Sequence, residues 1–266
     1  MTTTDLAREE WPSELYVEAW KAFRTLSNEN EVTAEHLVRL PSWPKRNDLV
    51  ICDLGCGDGR LVEQAVLRSI SSVAEVRLID PDEDLLTEAV RVVSETGLVK
   101  NVQRSLATAE QVFPECAKTS DAVLLVHVVY LMKNGAFRRL LDACPKETPL
   151  FVVMDAPTSV FTELWSVTAP KYHERSLRAH ETIAQLLPKN GYLVGETRIA
   201  STIEDPRGQR PDLKLALLSM LCYTDARTLF RDSDLMMRVE EILDQHHVAG
   251  NTLKIQCESI CYEISR

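Results

Sequence analysis

The sequence predicts an α/β protein built on a doubly wound parallel sheet of seven strands, with helices on both faces. Three observations lead to this prediction. Short apolar runs alternate with helical patterns along most of the 266 residues, as is typical of parallel strands joined by right-handed crossovers. The first clear apolar run, 49–52, leads into a glycine-rich turn. A polar linker at 204–211 and two helical patterns precede the last strand.

The predicted elements follow one another regularly along the chain. A helix with an aromatic face covers 14–26, a short helix covers 34–40, and another begins at Leu61. After the first strand, strands are predicted at 76–80, 101–106, 122–128, 150–154, 192–199 and 253–264. Further helices are predicted at 81–94, 131–143, 181–187, 213–221 and 235–243. The predicted domains are an N-terminal helical cover (1–44), a sheet domain (45–204 and 251–266) and a helical lid insertion (205–250).

Composition limits the classes of function. Hydrophobic residues make up 45% of the chain and charged residues 26%, and the net charge is −10. An acidic chain without a basic run is not expected to bind nucleic acid. No apolar run approaches the roughly 18 residues of a membrane-spanning helix. Seven cysteines without a small disulfide framework favour a reduced, cytoplasmic compartment.

The turn after the first strand is the most informative motif. It reads Asp53-Leu54-Gly55-Cys56-Gly57-Asp58-Gly59, with glycines at relative positions one, three and five. A dinucleotide fingerprint requires a glycine at position six, where this chain has Arg60. Glycines let a ligand approach the backbone, and the helix that follows offers unpaired N–H groups. With its leading aspartate, the turn resembles motif I of the class I S-adenosylmethionine (SAM)-dependent methyltransferases.

This resemblance implies a Rossmann-like methyltransferase fold, SAM as the cofactor, S-adenosylhomocysteine as its product, and no metal ion. SAM carries a cationic amino acid group, which a carboxylate at the turn would attract. Asp80 ends the second strand, where an acidic side chain would accept hydrogen bonds from the ribose hydroxyls. The predicted cofactor-binding residues are Asp53, Gly55, Cys56, Gly57, Asp80, Pro81, Thr108, Ala109 and Val126. Thr108 could equally be a helix cap.

Beyond the glycine turn, the chain resembles the histamine N-methyltransferases along nearly its whole length. The stretch Tyr16-Val17-Glu18-x-Trp20-x-x-Phe23, followed by Glu29, is similar to that family's aromatic covering helix and substrate-binding glutamate. His127 stands where the family has a glutamine, and Gln256 where it has an asparagine. The pair Phe161-x-x-x-Trp165 is similar to two pocket tryptophans. The resemblance thus implies a substrate-binding set of Tyr16, Trp20, Phe23, Glu29, His127, Phe161, Trp165 and Gln256.

The residues alone also allow structural roles. The aromatic helix face could be core packing, Glu29 a solvated acid in a polar turn, and His127 a structural hydrogen bonder. With the resemblance, Glu29 and His127 are the predicted catalytic residues: Glu29 orients the substrate, and His127 is a base or hydrogen-bond partner.

The predicted enzyme is a SAM-dependent methyltransferase that acts on a nitrogen of an imidazole or other small amine. The alternatives are an O- or C-methyltransferase of a phenol or 2-oxo acid, and a SAM-binding protein without catalytic activity. The expected partner is a small molecule, with no nucleic acid and no membrane. A monomer is expected, with a dimer as the alternative.

Overall fold

A mixed seven-stranded sheet forms the centre of the protein. The computed structural model describes residues 13–69, 72–132, 135–143, 148–249 and 253–265. The strands are β1 (Leu49–Leu54), β2 (Val73–Asp80), β3 (Val99–Leu106), β4 (Ala122–Val126), β5 (Leu150–Asp155), β6 (Leu193–Glu204) and β7 (Lys254–Ser265). Their order in the sheet is β3-β2-β1-β4-β5-β7-β6. This architecture confirms the predicted Rossmann-like fold class.

β7 departs from the expected parallel sheet. β1 to β5 pair in parallel with one another, whereas β7 is antiparallel to both β5 and β6. β6 and β7 form one long ladder, from Leu193 opposite Ser265 to Glu204 opposite Lys254. The expectation of a wholly parallel sheet is therefore wrong for β7. Burial patterns along a strand predict that the strand exists, but they carry no information about its direction.

Helices cover both faces of the sheet. They are α1 (Ser13–Leu26), α2 (Glu29–Arg39), α3 (Arg60–Arg68), α4 (Glu83–Glu95), α5 (Ala109–Lys118), α6 (Ala136–Ala143), α7 (Val160–Thr168), α8 (Pro170–Glu181), α9 (Pro211–Cys222), α10 (Ala226–Leu229) and α11 (Ser233–Gln245). A π-helical turn, Thr182–Leu186, and a last turn, Leu187–Lys189, extend α8. Short 3₁₀ turns lie at Val129–Leu131 and Pro206–Gly208.

The sequence does not predict α5, α7 or most of α8. Pro114 interrupts the pattern of α5, and a proline inside a helical pattern normally signals its end. Helix α7 is buried on several sides, and its buried residues include Phe161, Thr162 and Trp165. It therefore lacks the polar stripe of an amphipathic helix. Helix α2 begins at Glu29, earlier than predicted, because the polar run before residue 34 is part of the helix.

Two apolar cores lie on opposite faces of the sheet, and β5 contributes to both. Val152 and Met154 face the core that includes α5 to α9, whereas Phe151 and Val153 face the core that includes α2 to α4. Every residue of β5 is buried. This explains why the strand reads as a continuous apolar run rather than an alternating one.

The N-terminal segment and the insertion meet above the carboxyl ends of the strands. Helix α1 packs against α9, which belongs to the insertion between β6 and β7. Ser27, at the end of α1, also pairs with Ile203 of β6. In the described part of the chain, no helix combines the length and the apolar character needed to cross a membrane. The three-part domain division stays a prediction.

Candidate functional site

The glycine turn follows β1 and is held tightly by its neighbours. Gly55 and Gly57 have φ angles of 76° and 54°, which lie in the left-handed region that glycine favours. A Cβ atom on Gly55 would collide with the Val128 side chain, and one on Gly57 would lie 2.9 Å from the Trp20 ring. Both positions thus require glycine for backbone conformation and for space.

Asp80 fixes the other side of this turn. Its Oδ2 accepts a hydrogen bond from the Gly57 N–H and its Oδ1 one from the Asp82 N–H, both at 2.9 Å. Burial raises the pKa of Asp80 to about 6, although these two hydrogen bonds oppose the shift. The Asp80 carboxylate lines a cavity that begins at the glycine turn.

Most of the predicted cofactor-binding residues line this cavity: Gly55, Cys56, Gly57, Asp80, Pro81, Ala109 and Val126. Asp53 and Thr108 are not among its lining residues. Asp53 is buried behind the turn, where burial and the neighbouring Asp80 raise its pKa to about 7. Thr108 is the N-cap of α5, and its N–H donates to Gln111 Oε1 at 2.8 Å. The helix-cap interpretation of Thr108 therefore describes its place in the structure.

Aromatic side chains form the far half of the same cavity. Phe23 and Phe161 have ring centroids 5.5 Å apart, and Trp165 packs edge-on against Tyr130 at 5.3 Å and Tyr223 at 5.8 Å. The Trp165 Nε1–H donates to the Leu221 carbonyl oxygen at 3.1 Å, which fixes the indole. Edge-to-face contacts of this kind stabilise a rigid aromatic wall.

The predicted substrate-binding residues divide into two groups. Trp20, Phe23, Glu29, His127, Phe161 and Trp165 all line the cavity. Gln256 does not, because β7 alternates and directs this side chain to the exposed face, while Ile255 and Cys257 are buried. The predicted contact between Gln256 and substrate is therefore not supported by its position. Tyr16 lies on α1, and its side chain is outside the described residues.

A buried polar cluster lies between the two halves of the cavity. Glu29 Oε1 lies 2.9 Å from His127 Nε2 in an ion pair without hydrogen-bond alignment. Asp155 Oδ2 lies 3.3 Å from His127 Nδ1, and Arg24 donates to Glu29 Oε2 at 3.0 Å. Glu29 and Asp155 are 4% and 3% exposed. The two residues predicted as catalytic thus meet, although they come from distant parts of the chain.

The ion pairs determine the protonation states of Glu29 and His127. Burial alone would raise the pKa of Glu29, but His127 and Arg24 outweigh it and lower that pKa to about 2. Burial would lower the pKa of His127, but Glu29 and Asp155 raise it to about 10. His127 is therefore an imidazolium at neutral pH, with a carboxylate at each ring nitrogen. This state supports a hydrogen-bonding role for His127 and disfavours its predicted role as a base.

The backbone at His127 is strained. Its φ angle of 57° is uncommon for a residue other than glycine, and its N–H donates to the Val153 carbonyl oxygen at 2.9 Å. Strain of this kind persists where the surrounding structure imposes it, often at functional sites.

Glu29, His127 and Asp155 also have the chemistry of metal ligands, and their oxygen and nitrogen atoms lie within 4.8 Å of one another. However, the two carboxylates face different ring nitrogens of one histidine. A histidine coordinates a metal through one of these nitrogens. The geometry is therefore that of an ion-pair network rather than a set of ligands converging on one point.

Sequence reasoning missed several cavity residues, namely Arg24, Tyr130, Asp155 and Tyr223. The sequence did contain a signal for Asp155, because this residue ends β5 at the edge of the sheet where ligands bind in open α/β folds. Arg24 had none, because an arginine beside a polar run is usually solvated.

Comparisons with known proteins agree with this fold. Residues 51–146 match the family model described as a methyltransferase domain. A search of curated proteins finds no match. The solved SAM-dependent methyltransferase from Geobacter sulfurreducens, in complex with S-adenosylhomocysteine, is 14% identical with a TM-score of 0.54, covering 97% of this chain and 99% of that chain. The YcgJ protein from Bacillus subtilis is 14% identical with a TM-score of 0.56, covering 90% and 98%.

Residues 51–146 therefore match a methyltransferase domain, and the chain shares the fold of the solved SAM-dependent methyltransferase. SAM is the cofactor of this class of domain, and the half of the cavity formed by the glycine turn and Asp80 fits it. Asp80 ends the second strand with a carboxylate at the cavity wall, and the left-handed glycines keep side chains away from the turn. The contact between Asp80 and the ribose stays a prediction. The resemblance to the histamine N-methyltransferases stays a prediction.

Proposed function

We propose that this protein transfers a methyl group from SAM to a nitrogen of an imidazole or other small amine. One observation carries the proposal: a buried cluster of two carboxylates and a histidine lies between an aromatic wall and the glycine turn. Aromatic faces and carboxylates are the groups that hold amines and imidazoles in proteins. A small acceptor, rather than nucleic acid or a membrane, suits a cavity enclosed by α1 and α9.

Glu29 orients the acceptor in this proposal. Its carboxylate is fixed on one side by Arg24 and on the other by His127, so it cannot rotate away from the cavity without breaking both contacts. Held in this way, Glu29 can accept a hydrogen bond from an N–H of the acceptor. Such fixed groups reduce the freedom that the acceptor must lose before reaction.

The aromatic wall positions the acceptor and excludes water. When bound, SAM supplies a methyl group on a sulfonium, which is already reactive toward a nitrogen lone pair. Phe161 and Trp165 are 4% and 2% exposed, so this half of the cavity is shielded from solvent. Alignment and exclusion of water can account for much of the rate enhancement in such a displacement. The ring faces of Phe161 and Trp165 can also stabilise the positive charge that develops on the acceptor.

A methyl-transfer screen tests the proposal. The purified protein is incubated with methyl-labelled SAM and with imidazoles, biogenic amines, phenols and 2-oxo acids, and product mass and methyl position are determined. We expect a product methylated on nitrogen. A Gly57→Ala variant serves as the control, because it places a methyl group in the glycine turn and should weaken SAM binding and lower the SAM-dependent signal.

An O- or C-methyltransferase is the second candidate. It rests on Asp155 Oδ1, a buried carboxylate oxygen without a hydrogen-bond partner among the described residues, which could accept a proton from a phenol or an enolisable carbon. A methyl group found on oxygen or carbon would establish this candidate instead. SAM binding by calorimetry without turnover of any acceptor would establish a SAM-binding protein without catalytic activity.

A further inference from the structure

Asp155 carries an unused hydrogen-bond acceptor at the cavity. The residue ends β5, is 3% exposed and lines the cavity. Its Oδ2 faces His127, whereas its Oδ1 is buried and has no hydrogen-bond partner among the described residues. Leaving a buried charged oxygen unpaired costs more than about 1–3 kcal/mol. A ligand that donates a hydrogen bond to Oδ1 would recover this energy.

The other polar atoms of the cluster are already engaged. Arg24 donates to one oxygen of Glu29, and His127 lies against the other. Each ring nitrogen of His127 faces a carboxylate, and an imidazolium has no lone pair to accept a proton. Within this cluster, Asp155 Oδ1 is therefore the carboxylate oxygen that has no protein partner to compete with a bound proton donor.

Neighbouring residues hold Asp155 in place from behind. Its backbone carbonyl oxygen lies 2.8 Å from His180 Nε2, and His180 Nδ1 lies 2.7 Å from the Tyr262 hydroxyl. Burial lowers the pKa of His180, which favours the neutral ring. A neutral ring satisfies both contacts when Nε2–H donates to Asp155 and Nδ1 accepts from Tyr262. His180 and Tyr262 are thus positioning residues for the end of β5.

We propose that Asp155 is the catalytic proton acceptor, and that its Oδ1 takes the proton that the nitrogen of an amine acceptor loses on methylation. The role rests on the proposed methyl transfer. As the new N–C bond forms, the S–C bond breaks and its electron pair stays on sulfur. The N–H bond then breaks toward Oδ1, and its electron pair remains on nitrogen. The positive charge that leaves the sulfonium thus ends as a proton that neutralises the carboxylate, so the net charge of the cavity is unchanged.

The test compares Asp155→Asn with the wild type in single-turnover methyl transfer across a range of pH, with SAM and acceptor affinities measured separately by calorimetry. We expect the rate to fall about 10²–10⁴-fold, the usual contribution of a proton-transfer group. Both affinities should change less than about threefold, equivalent to under about 0.7 kcal/mol. Asp155→Glu should recover part of the rate. Asp234→Asn, an exposed position on α11, is the matched control and should behave as the wild type.

Chemical rescue separates proton transfer from a purely structural role. In an Asp155→Gly variant, added formate should restore the rate with a dependence on formate concentration and pH, whereas a structural defect would not respond.

Asp155→Asn with full activity, or with a loss confined to acceptor affinity, would overturn the role while leaving the proposed function intact. A wild-type protein that binds SAM but methylates no acceptor would overturn both. Activity lost to a chelator and restored by a divalent cation would make Asp155 a metal ligand and overturn its role as proton acceptor.

Discussion

Glu29 Oε1 lies 2.9 Å from His127 Nε2, although Glu29 begins a helix of the N-terminal segment and His127 follows a central strand of the sheet. The N-terminal segment therefore contributes a charged group to the site as well as apolar shielding. Without α2 in place, His127 would keep, among the residues that the structure describes, only Asp155 as its ionic partner. The polar centre of the cavity is complete only when the N-terminal segment is docked on the sheet.

Replacing Glu29 with glutamine should affect the acceptor more than the cofactor. The change removes the charge that faces Arg24 and His127, and a charge-assisted hydrogen bond contributes about 1.5–3 kcal/mol. We expect acceptor affinity to fall by about tenfold or more, whereas SAM affinity should stay within about threefold of the wild type. Calorimetric titration of each ligand measures both. An equal loss of the two affinities would contradict the assignment of Glu29 to the acceptor.

The His127 ion pairs should make stability depend on pH. The folded-state pKa of His127 is about 10, above its ordinary value of 6.5. The stabilisation is therefore fully present below about pH 6.5 and is lost as the pH rises to about 10. Over this range, His127 should lower the free energy of unfolding by up to about 1.4 kcal/mol per pH unit. Denaturant unfolding of the wild type and of His127→Gln measures the effect, and parallel curves for the two proteins would refute it.

Gly57→Ala should disrupt the glycine turn. The new Cβ would lie 2.9 Å from the Trp20 ring at a φ angle of 54°, so the ring or the turn must move. We expect SAM affinity to fall by about tenfold or more, since loss of close backbone approach removes ligand contacts. Gly97→Ala is the matched control, because it has a φ angle of 65° and nothing within 4 Å. It should lower stability by about 1 kcal/mol with unchanged SAM affinity. Equal SAM affinities for the two variants would show that the turn tolerates a side chain.

Trp165→Phe should loosen the aromatic wall. The variant leaves the buried Leu221 carbonyl without its 3.1 Å donor, which costs about 1–3 kcal/mol. We expect a lower melting temperature and a higher KM for the acceptor. Trp43→Phe is the control: Trp43 is also buried, but its Nε1 has no partner among the described residues, so no hydrogen bond is lost. It should leave the acceptor KM unchanged. Identical behaviour of the two variants would argue against a specific role for the Trp165 hydrogen bond.

The centre of the sheet could be predicted from sequence because β1, β4 and β5 are short apolar runs beside a turn or helix signal. The direction of β7 could not, since a buried face has the same pattern in parallel and antiparallel strands. Helix α7 escaped prediction for a related reason, because burial on several sides removes its polar stripe. Local patterns therefore identified elements that have one exposed face better than elements enclosed by others.

Only part of the candidate site could be predicted, and the reason differs from that for the sheet. The glycine turn and Asp80 are adjacent to strand ends, so local sequence is enough to find them. Glu29 and His127 were found through resemblance to a known family. Asp155 was missed because an aspartate at the end of a strand is an ordinary turn residue until the neighbouring His127 is placed beside it.

The antiparallel pairing of β6 with β7 has a consequence for how acceptor preference can change. Glu204 and Lys254 lie opposite each other at the last register position of this ladder. The segment between them therefore leaves and rejoins the sheet at a single point, and its length is not constrained by the strands. Helix α9 supplies Met220 to the cavity wall, and Tyr223 follows it directly. Grafting a foreign segment between Glu204 and Lys254 would therefore exchange part of the aromatic half of the cavity. The glycine turn and Asp80 would be left untouched.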